Sequence, residues 1–343
     1  MNDFKIGNRD VYRGDIPFIV EEGQANQGQF SIALDMIRAA VATGADGIEF
    51  QLAIADDFYV RSHPGHAIYK SREFTPDQLG LLVRAAQESQ IGFVAAVFAP
   101  RLVPVLRDAG CAAFNVNASD LTNPEILDAV SASGRPFFLS LPLATLDEID
   151  WAVGRVRRAA APFALLLGQH IMATGEGGVP AEATCLGAIA MLRERYHVPV
   201  GFIDHTCHLW MPAVAVASGA SVVTKHMALC REEHGPDWHI CLEPEEMQRA
   251  VRMVRAVKTS IATSDKLIAA GEAPDRRMMR RSIVASEPMP AGRRIGRDQI
   301  GFKRPGIGID PLFVDQVVGA TTKRPFMLDE PLEWEALELR KEP

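Results

Sequence analysis

The sequence predicts an α/β protein with repeated strand–helix units, followed by a small β-rich domain. Short apolar runs alternate with helix-period stretches through most of the 343 residues. These runs are apolar almost throughout rather than alternating, which is typical of parallel strands buried on both faces. From Ser282 onward, short apolar runs are instead separated by proline and glycine turns, a pattern that indicates mainly β structure.

Eight strand–helix units favour one architecture, the TIM (β/α)8 barrel, over an open doubly wound sheet. The predicted strands, in chain order, are Phe18–Gly23, Gly47–Leu52, Gly92–Phe98, Ala112–Ser119, Pro136–Leu141, Phe163–His170, Val198–Thr206 and Ser221–Met227. Helical patterns separate them, and some begin at an N-cap followed by proline, as in Thr75-Pro76.

The chain is predicted to divide into four segments. Residues 1–15 form an N-terminal hairpin that turns at Gly7-Asn8, and residues 16–262 form the barrel. Residues 263–281 are a polar, helix-prone linker, and residues 282–343 are the small β-rich domain.

Composition and charge exclude several classes of protein. The chain has 36 Lys and Arg residues against 43 Asp and Glu residues, a formal net charge of −7, so no surface for nucleic acid is expected. No apolar run approaches the roughly 20 residues of a membrane span, and the first residues do not read as a secretory signal. The five cysteines form no CxxC motif, which fits reduced thiols. We therefore expect a cytoplasmic enzyme.

Polar side chains follow the predicted strands at their carboxyl ends, where TIM barrels carry their active sites. They are Glu21, Glu22, Glu49, Gln51, Asn115, Asn117, Ser119, Asp120, Ser140, Gln169, His170, Asp204, His205, Lys225 and His226. Histidines thus end three successive strands, and a carboxylate ends the first. Such ligands, with an open coordination position, suit a catalytic divalent transition metal. We predict a metal site of His170, His205 and His226, with Glu21 completing the ring.

Some of these residues have a second interpretation. Asp204 either caps the next helix or orients a ligand imidazole. A single histidine at a strand end is more often structural than a ligand, and only the set of three favours a metal. His63 and His66 lie in a long predicted loop after the second strand, at the position of a lid, although a histidine in such a loop is commonly solvated.

Several motifs follow one another in the order found in a known family. They are FKIGN at residues 4–8, IVEEGQANQG at 19–28, GADGIEFQ at 44–51, VPVGFIDHT at 198–206, HGPDW at 234–238 and KRPGIGI at 303–309. Together they resemble the sialic acid (N-acetylneuraminate) synthase family, including its spore coat polysaccharide biosynthesis protein E branch. The resemblance covers essentially the whole chain. It implies that the C-terminal domain is an antifreeze-like (SAF) domain.

The resemblance also implies a reaction, the metal-assisted condensation of phosphoenolpyruvate with an aldehyde (N-acetyl)amino sugar. The product is a sialic-acid-like 2-keto acid for surface or coat polysaccharide, and phosphate is released. The metal is Mn or Mg by resemblance, and Fe, Co or Zn also suit nitrogen and oxygen ligands. Bound metal would polarise the aldehyde carbonyl.

The resemblance also implies roles for residues of this chain that match functional positions of the family. His205 and His226 match the family's metal-binding histidines, and Glu21 matches its essential glutamate. Asp237 matches a contact to the acceptor sugar, and Arg304 matches an arginine that enters the partner subunit's barrel, so a domain-swapped homodimer is expected. Asp204 is a further predicted catalytic residue. The other predicted substrate-binding residues are Gln51, Asn115, Ser140 and Lys225.

Several positions depart from the family's pattern, and four of them bear most on the phosphoenolpyruvate site. Glu49 and Asn115 stand where the family has lysines, and Ala96 and Ala118 stand where it has hydroxyl side chains. A carboxylate in place of a cation disfavours an anionic ligand. The chain then either keeps the family reaction with other cations, or uses the same metal site for another aldol, lyase, isomerase or oxidative reaction. The third alternative is a non-catalytic, sugar-binding paralogue.

Overall fold

Eight parallel strands close into a barrel in the first part of the chain. The computed structural model describes residues 3–171 and 177–339, and it separates into two compact units, Met1–Thr263 and Ser264–Pro343. A short antiparallel hairpin, β1 (Lys5–Ile6) and β2 (Arg9–Asp10), precedes the barrel. The barrel strands are β3 (Phe18–Glu21), β4 (Gly47–Leu52), β5 (Gly92–Val97), β6 (Ala113–Val116), β7 (Phe137–Ser140), β8 (Phe163–Leu167), β9 (Val200–Asp204) and β10 (Val223–His226).

Strand β10 pairs with both β9 and β3 and thereby closes the barrel. The helices of this unit are α1 (Phe30–Thr43), α2 (Ala55–Phe58), α3 (Pro64–Ser71), α4 (Pro76–Glu88), α5 (Leu102–Ala109), α6 (Pro124–Ala132), α7 (Leu146–Val156), α8 (Ala188–Tyr196), α9 (Met211–Ala217) and α10 (Pro244–Ser260). The predicted TIM barrel is confirmed.

Helix α4 shows why the sequence folds this way locally. Thr75 accepts a hydrogen bond from the backbone N–H of Gln78, whose side chain accepts one from the Thr75 backbone N–H, and Pro76 occupies the first turn. This capping box stabilises the helix start by about 1 kcal/mol. Leu79, Leu82, Val83 and Ala86 then recur at helical spacing and are buried, and each large apolar side chain stabilises the packing by roughly 1.5–3 kcal/mol.

The expected lid loop after β4 is helical over two short stretches, α2 and α3. Helix α3 begins there because Pro64 occupies its first turn and the His63 ring accepts a hydrogen bond from the Gly65 backbone N–H at 3.0 Å. His63 also stacks on Tyr59, with 4.6 Å between ring centroids. His63 is therefore the N-cap of α3 and is exposed to solvent, and its position before proline could have indicated the capping role.

The N-terminal hairpin fills the amino end of the barrel. Phe4 and Ile6 are fully buried, and the rings of Phe4 and Phe138 lie 4.8 Å apart between centroids. A glycine allows the hairpin to approach, since a Cβ atom on Gly92 would lie 2.8 Å from the backbone nitrogen of Gly7. The opposite end, where the strands end at their carboxyl termini, is the end available for a site.

The second unit is small and mainly β. Its elements are α11 (Glu272–Met279), β11 (Ser282–Ala285), β12 (Ile300–Lys303), α12 (Val314–Val317), β13 (Thr321–Thr322) and β14 (Leu337–Glu338). Strands β11 and β12 pair antiparallel, and a separate core contains Ile283, Val317, Phe326 and Leu332. Among the described helices of the chain, none combines the length and apolarity that crossing a membrane requires.

Candidate active site

A cavity of about 210 Å³ opens at the carboxyl ends of the barrel strands. Nine candidate residues named from the sequence line it, namely Glu21, Gln51, Asn117, Ser119, Ser140, His170, His205, His226 and Asp237. These residues come from distant parts of the chain, and the barrel brings them together because its parallel strands all end on one side. Ala118, one of the positions that departs from the family's pattern, also lines the cavity.

Glu21 and His226 form a buried pair in its wall. Strands β3 and β10 are neighbours, and their register places His226 opposite Glu21. His226 Nε2 lies 3.3 Å from Glu21 Oε2, and the Gln51 amide donates a hydrogen bond of 2.8 Å to Glu21 Oε1. Burial raises the pKa of Glu21 to about 7 and lowers the pKa of His226 to about 4. The imidazole is therefore neutral at physiological pH, while Glu21 exchanges its proton near neutrality.

The three predicted histidines are neighbours in the cavity wall, with the His205 ring next to both of the others. Ring centroids are 5.2 Å apart for His205 and His226, and 5.3 Å apart for His170 and His205. Burial, with His226 as the next contribution, lowers the pKa of His205 well below its ordinary value. His170 is the exposed member of the three. A neutral imidazole is the form that binds a metal, so His205 and His226 are in the required protonation state.

Several donor atoms in this group are buried without a hydrogen-bond partner. They are Glu21 Oε2, His205 Nδ1 and both ring nitrogens of His226. Unpartnered buried polar atoms are rare and call for an explanation such as a bound ion. Across residues 3–171 and 177–339, no three His, Cys, Asp or Glu side chains are arranged as a group that could hold a metal ion. The donor chemistry thus fits a divalent cation held by two imidazoles, but the side chains as they stand do not complete a three-residue ligand set.

Asp204 and Lys225 lie behind the histidines rather than on the cavity wall. Both side chains are 0% exposed, and Lys225 Nζ lies 3.1 Å from Asp204 Oδ2. Asp204 Oδ1 accepts a hydrogen bond of 2.8 Å from the Thr206 backbone N–H, and Lys225 donates to the Thr206 carbonyl. Both residues therefore hold the turn that follows His205. Among the described residues, Asp204 is hydrogen-bonded to this backbone and paired with Lys225 rather than bonded to an imidazole, so its two interpretations both stay predictions.

A chain of polar side chains crosses the barrel interior at Glu49, Asn115 and Ser140. The Asn115 amide donates to Glu49 Oε1 at 2.7 Å, and the Ser140 hydroxyl donates to Asn115 Oδ1 at 3.0 Å. Glu49 and Asn115 are fully buried, and Glu49 Oε2 has no partner. Burial, with Glu21 as the next contribution, raises the pKa of Glu49 well above its ordinary value.

The cavity wall also has an aromatic side that the sequence analysis missed. Phe58, Tyr69 and Phe98 line it, with the Phe58 ring centroid 5.2 Å from that of Tyr69 and 4.6 Å from that of Phe98. The aromatic residues within the predicted lid segment were the available signal. Arg304 belongs to the second unit, where its side chain is exposed.

The chain thus belongs to a class of two-domain proteins. In this class a TIM barrel, here with a cavity lined by acids and histidines, precedes a small β-rich domain. The model of the NeuB family matches residues 36–266, and that of the SAF domain matches residues 280–338. Since the first match covers more than half of the chain, the chain belongs to the NeuB family. The predicted family and SAF domain are confirmed.

Curated relatives extend over almost the full chain. An uncharacterised protein of Methanocaldococcus jannaschii is 30% identical over 338 residues, which are 98% of this chain and 99% of that protein. The N,N'-diacetyllegionaminic acid synthase of Legionella pneumophila is 26% identical over 338 residues, 93% of this chain and 94% of that protein. The match to the synthase includes both units.

Solved structures agree with these relatives. The sialic acid synthetase of Leptospira borgpetersenii, solved in complex with citrate, has a TM-score of 0.73 at 26% identity and covers 80% of this chain and 95% of its own. A putative spore coat polysaccharide biosynthesis protein E of Chromobacterium violaceum has a TM-score of 0.75 at 22% identity, covering 94% and 99%. The second likeness shows the fold alone.

Proposed function

We propose that this protein is an enzyme that joins a three-carbon donor to the aldehyde carbon of an (N-acetyl)amino sugar. The product is a sialic-acid-like 2-keto acid for surface or coat polysaccharide, and the family's donor is phosphoenolpyruvate. The observation that carries the proposal is the Glu21–His226–His205 group, whose buried donor atoms have no hydrogen-bond partner beside the cavity. Membership of the NeuB family, with a relative that is an N,N'-diacetyllegionaminic acid synthase, supports it.

His205 and His226 would hold the divalent metal, with His170 as a further candidate ligand. When bound, such a metal polarises the aldehyde carbonyl toward attack. Two nitrogen ligands favour Mn, Fe, Co or Zn over Mg, although the resemblance admits Mg. Asp204 and Lys225 hold the turn of His205 through Thr206, so they act as positioning residues.

Glu21 is the proposed acid and base. Its pKa of about 7 lets it hold or release a proton at physiological pH. The Gln51 amide donates to its Oε1 atom, so Oε2 is the atom left for proton exchange. In the proposed reaction, Oε2 delivers the proton that the aldehyde oxygen takes up as the new carbon–carbon bond forms.

The acceptor sugar is proposed to bind between Asp237 and the aromatic side of the cavity. Pockets for small ligands combine apolar walls with a few polar groups that fix orientation. Phe58, Tyr69 and Phe98 form the apolar wall, and Asp237, Gln51 and Ser140 supply the polar groups.

Product analysis tests the proposal. The purified protein is incubated with Mn²⁺, a panel of N-acetylated hexosamines, and either phosphoenolpyruvate or pyruvate as donor. A 2-keto acid three carbons longer than the sugar, seen by mass spectrometry and lost in His226→Ala, is the expected result. Sugars that bind without forming any such product would identify a non-catalytic, sugar-binding protein and contradict the proposal.

A domain-swapped homodimer in the cytoplasm is also proposed, with Arg304 of one protomer entering the partner's barrel as the resemblance implies. Arg304→Ala and His226→Ala should each be inactive alone. Because a mixed dimer would have one complete site, refolding the two variants together should restore about a quarter of the wild-type activity. A monomer in light scattering, or no regain on mixing, would contradict the swap.

A second candidate function keeps the metal site but not phosphoenolpyruvate. The buried carboxyl of Glu49, hydrogen-bonded to Asn115 where the family pattern has two lysines, favours it. Another aldol, lyase, isomerase or oxidative reaction would then use the same histidines.

A further inference from the structure

Strand β4 continues past the end of its neighbour β3. Strand β3 ends at Glu21, because the chain then turns away through left-handed conformations at Gly23 and Gln24, whose φ values are +52° and +63°. Strand β4 runs on to Leu52, so Gln51 lies beyond the part of β4 that pairs with β3. The backbone polar groups of Gln51 on that side therefore need other hydrogen-bond partners.

Two side chains from the turn after β3 take the place of the missing strand. Glu22 Oε1 accepts a hydrogen bond of 3.3 Å from the Gln51 backbone N–H, and the Gln24 side-chain amide donates one of 2.5 Å to the Gln51 carbonyl. Both side chains belong to buried residues, so water competes little for these contacts. The backbone of Gln51 is thus held at both of its polar groups.

The second carboxyl oxygen of Glu22 is held as well. Its Oε2 atom accepts hydrogen bonds from the Asn26 side-chain amide at 2.6 Å and from the Asn26 backbone N–H at 3.4 Å. Asn26 is also buried, and its Oδ1 atom accepts a hydrogen bond of 2.7 Å from the Gly28 backbone N–H. A satisfied, buried network of this kind is rigid, so the Glu22 carboxyl keeps one direction toward Gln51.

Gln51 passes this order on to the proposed acid and base. Its side-chain amide donates the hydrogen bond of 2.8 Å to Glu21 Oε1, while Glu21 Oε2 lies 3.3 Å from His226 Nε2. We infer that Glu22 and Gln24 are positioning residues that fix the direction of the Glu21 carboxyl through Gln51. Neither is among the described residues that line the cavity, so they act through Gln51 and not on the substrate. The inference rests on the role of Glu21 in the proposed function.

An exchange of carboxyl and amide between Glu22 and Asn26 tests the inference. In Glu22→Gln, the new amide group faces hydrogen-bond donors on both sides, so the contact to Gln51 or the contact to Asn26 is lost. In Asn26→Asp, two carboxyl groups face each other. The double variant Glu22→Gln/Asn26→Asp keeps the net charge and pairs an amide with a carboxylate again, while the side-chain oxygen at position 22 still accepts from the Gln51 N–H.

Turnover is the first measurement. It is made at pH 8, because burial raises the pKa of Glu22 to about 7 and its carboxyl is mostly ionised there. Each single variant is expected to lose about tenfold or more of kcat per folded protein, since a misdirected catalytic group is inefficient. The double variant is expected to recover most of this loss. No recovery in the double variant would overturn the inference.

Asp10→Asn is the matched control. Asp10 is a buried carboxyl that accepts a hydrogen bond of 2.9 Å from a backbone N–H, that of Tyr12, as Glu22 does from Gln51. It lies in the N-terminal hairpin, at the opposite end of the barrel. Its replacement should leave kcat per folded protein unchanged. A loss as large as that of Glu22→Gln would show a general effect of buried carboxyl groups and overturn the inference.

Nuclear magnetic resonance of the Gln51 side chain decides the inference without turnover. In nitrogen-15-labelled protein, the Gln51 side-chain amide signals report the hydrogen bond to Glu21. They should shift in each single variant and return in the double variant, and unshifted signals in the single variants would overturn the inference. If the wild type forms no product but these shifts occur, the proposed function fails and the positioning stands.

Gln24→Met provides a second variant that removes the donor to the Gln51 carbonyl. If Glu22→Gln does not fold, Gln24→Met replaces it in both measurements. The same loss of kcat and the same shift of the Gln51 signals are expected. A Gln24→Met protein that matches the wild type in both measurements would contradict the positioning role.

Discussion

His226 Nε2 lies 3.3 Å from Glu21 Oε2, and both side chains are 2% exposed. The two residues end neighbouring strands of the barrel, so backbone register fixes their contact. Neither atom has a hydrogen-bond partner in the structure. A buried imidazole and a buried carboxyl, next to the His205 ring, therefore share one side of the cavity.

Replacing Glu21 by Gln tests whether this carboxyl exchanges protons. Glu21→Gln keeps an acceptor for the Gln51 amide, so the free energy of unfolding should change little at pH 7. Turnover should fall about 100-fold or more because the amide cannot transfer a proton. Steady-state kinetics and sugar-binding calorimetry measure the two effects separately. Unchanged turnover would rule out Glu21 as acid or base.

Gly23 lies against the His226 ring. Its φ is +52°, and a Cβ atom there would lie 2.6 Å from His226 Nδ1. Gly23→Ala should displace the ring and lower both turnover and metal affinity at least about tenfold, since ligand orientation controls metal binding. Gly14→Ala is the control because Gly14 also has a positive φ, +73°, but has no atom within 4 Å of the added Cβ. Both variants should lose roughly 1 kcal/mol of stability from the backbone. Equal activity in the two variants would contradict the proposed contact.

Stability should depend on pH through the buried acids. The pKa of Glu49 is raised by burial well above its ordinary 4.5 in the folded state. The folded protein therefore binds more protons than the unfolded chain above pH 4.5, and its free energy of unfolding falls as the pH rises. Glu49→Gln removes this carboxyl, so its stability relative to the wild type should be greater at pH 8 than at pH 5.

Urea unfolding of the metal-free protein at the two pH values measures the effect of Glu49→Gln. Asp108→Asn provides a control at an exposed carboxylate and should show no such pH-dependent gain. A gain that is the same at pH 5 and pH 8 would contradict a raised pKa for Glu49.

The buried ion pair of Asp204 and Lys225 should stabilise the fold only as a pair. Lys225→Met leaves the Asp204 carboxylate buried without its cation, so the free energy of unfolding should fall by about 3–5 kcal/mol. Adding Asp204→Asn to Lys225→Met should recover part of this loss. Arg195→Met breaks the exposed pair with Asp150 and should change stability by less than about 1 kcal/mol. A loss of the same size from both single variants would contradict the assigned burial.

The strand ends of the barrel could be predicted from the sequence because parallel strands buried on both faces give long apolar runs. Where such a run stops at a polar residue, as at Glu21, His205 and His226, the side chain lies at the open end of the barrel. Convergence of these three residues follows from the closure of the barrel alone. Predicting this convergence required no knowledge of which side chains are in contact.

The direction of individual side chains could not be predicted in the same way. Asn115 and Lys225 were expected to bind substrate, but Asn115 is hydrogen-bonded to Glu49 and Lys225 is paired with Asp204. Their partners lie on other strands, so the sequence alone does not show these contacts. Phe58 and Tyr69 were missed because α2 and α3 fold a segment that was expected to be a loop.

Metal binding by His205 and His226 tests the central claim most directly. Mn²⁺ binding, followed by electron paramagnetic resonance and calorimetry, should show one site in the wild type and an affinity at least about 100-fold lower in His205→Ala and in His226→Ala. His208→Ala is the control, because His208 stacks on Trp210 and does not line the cavity, and it should bind Mn²⁺ like the wild type. Unchanged stoichiometry and affinity in the His205 and His226 variants would contradict a metal site at the barrel mouth.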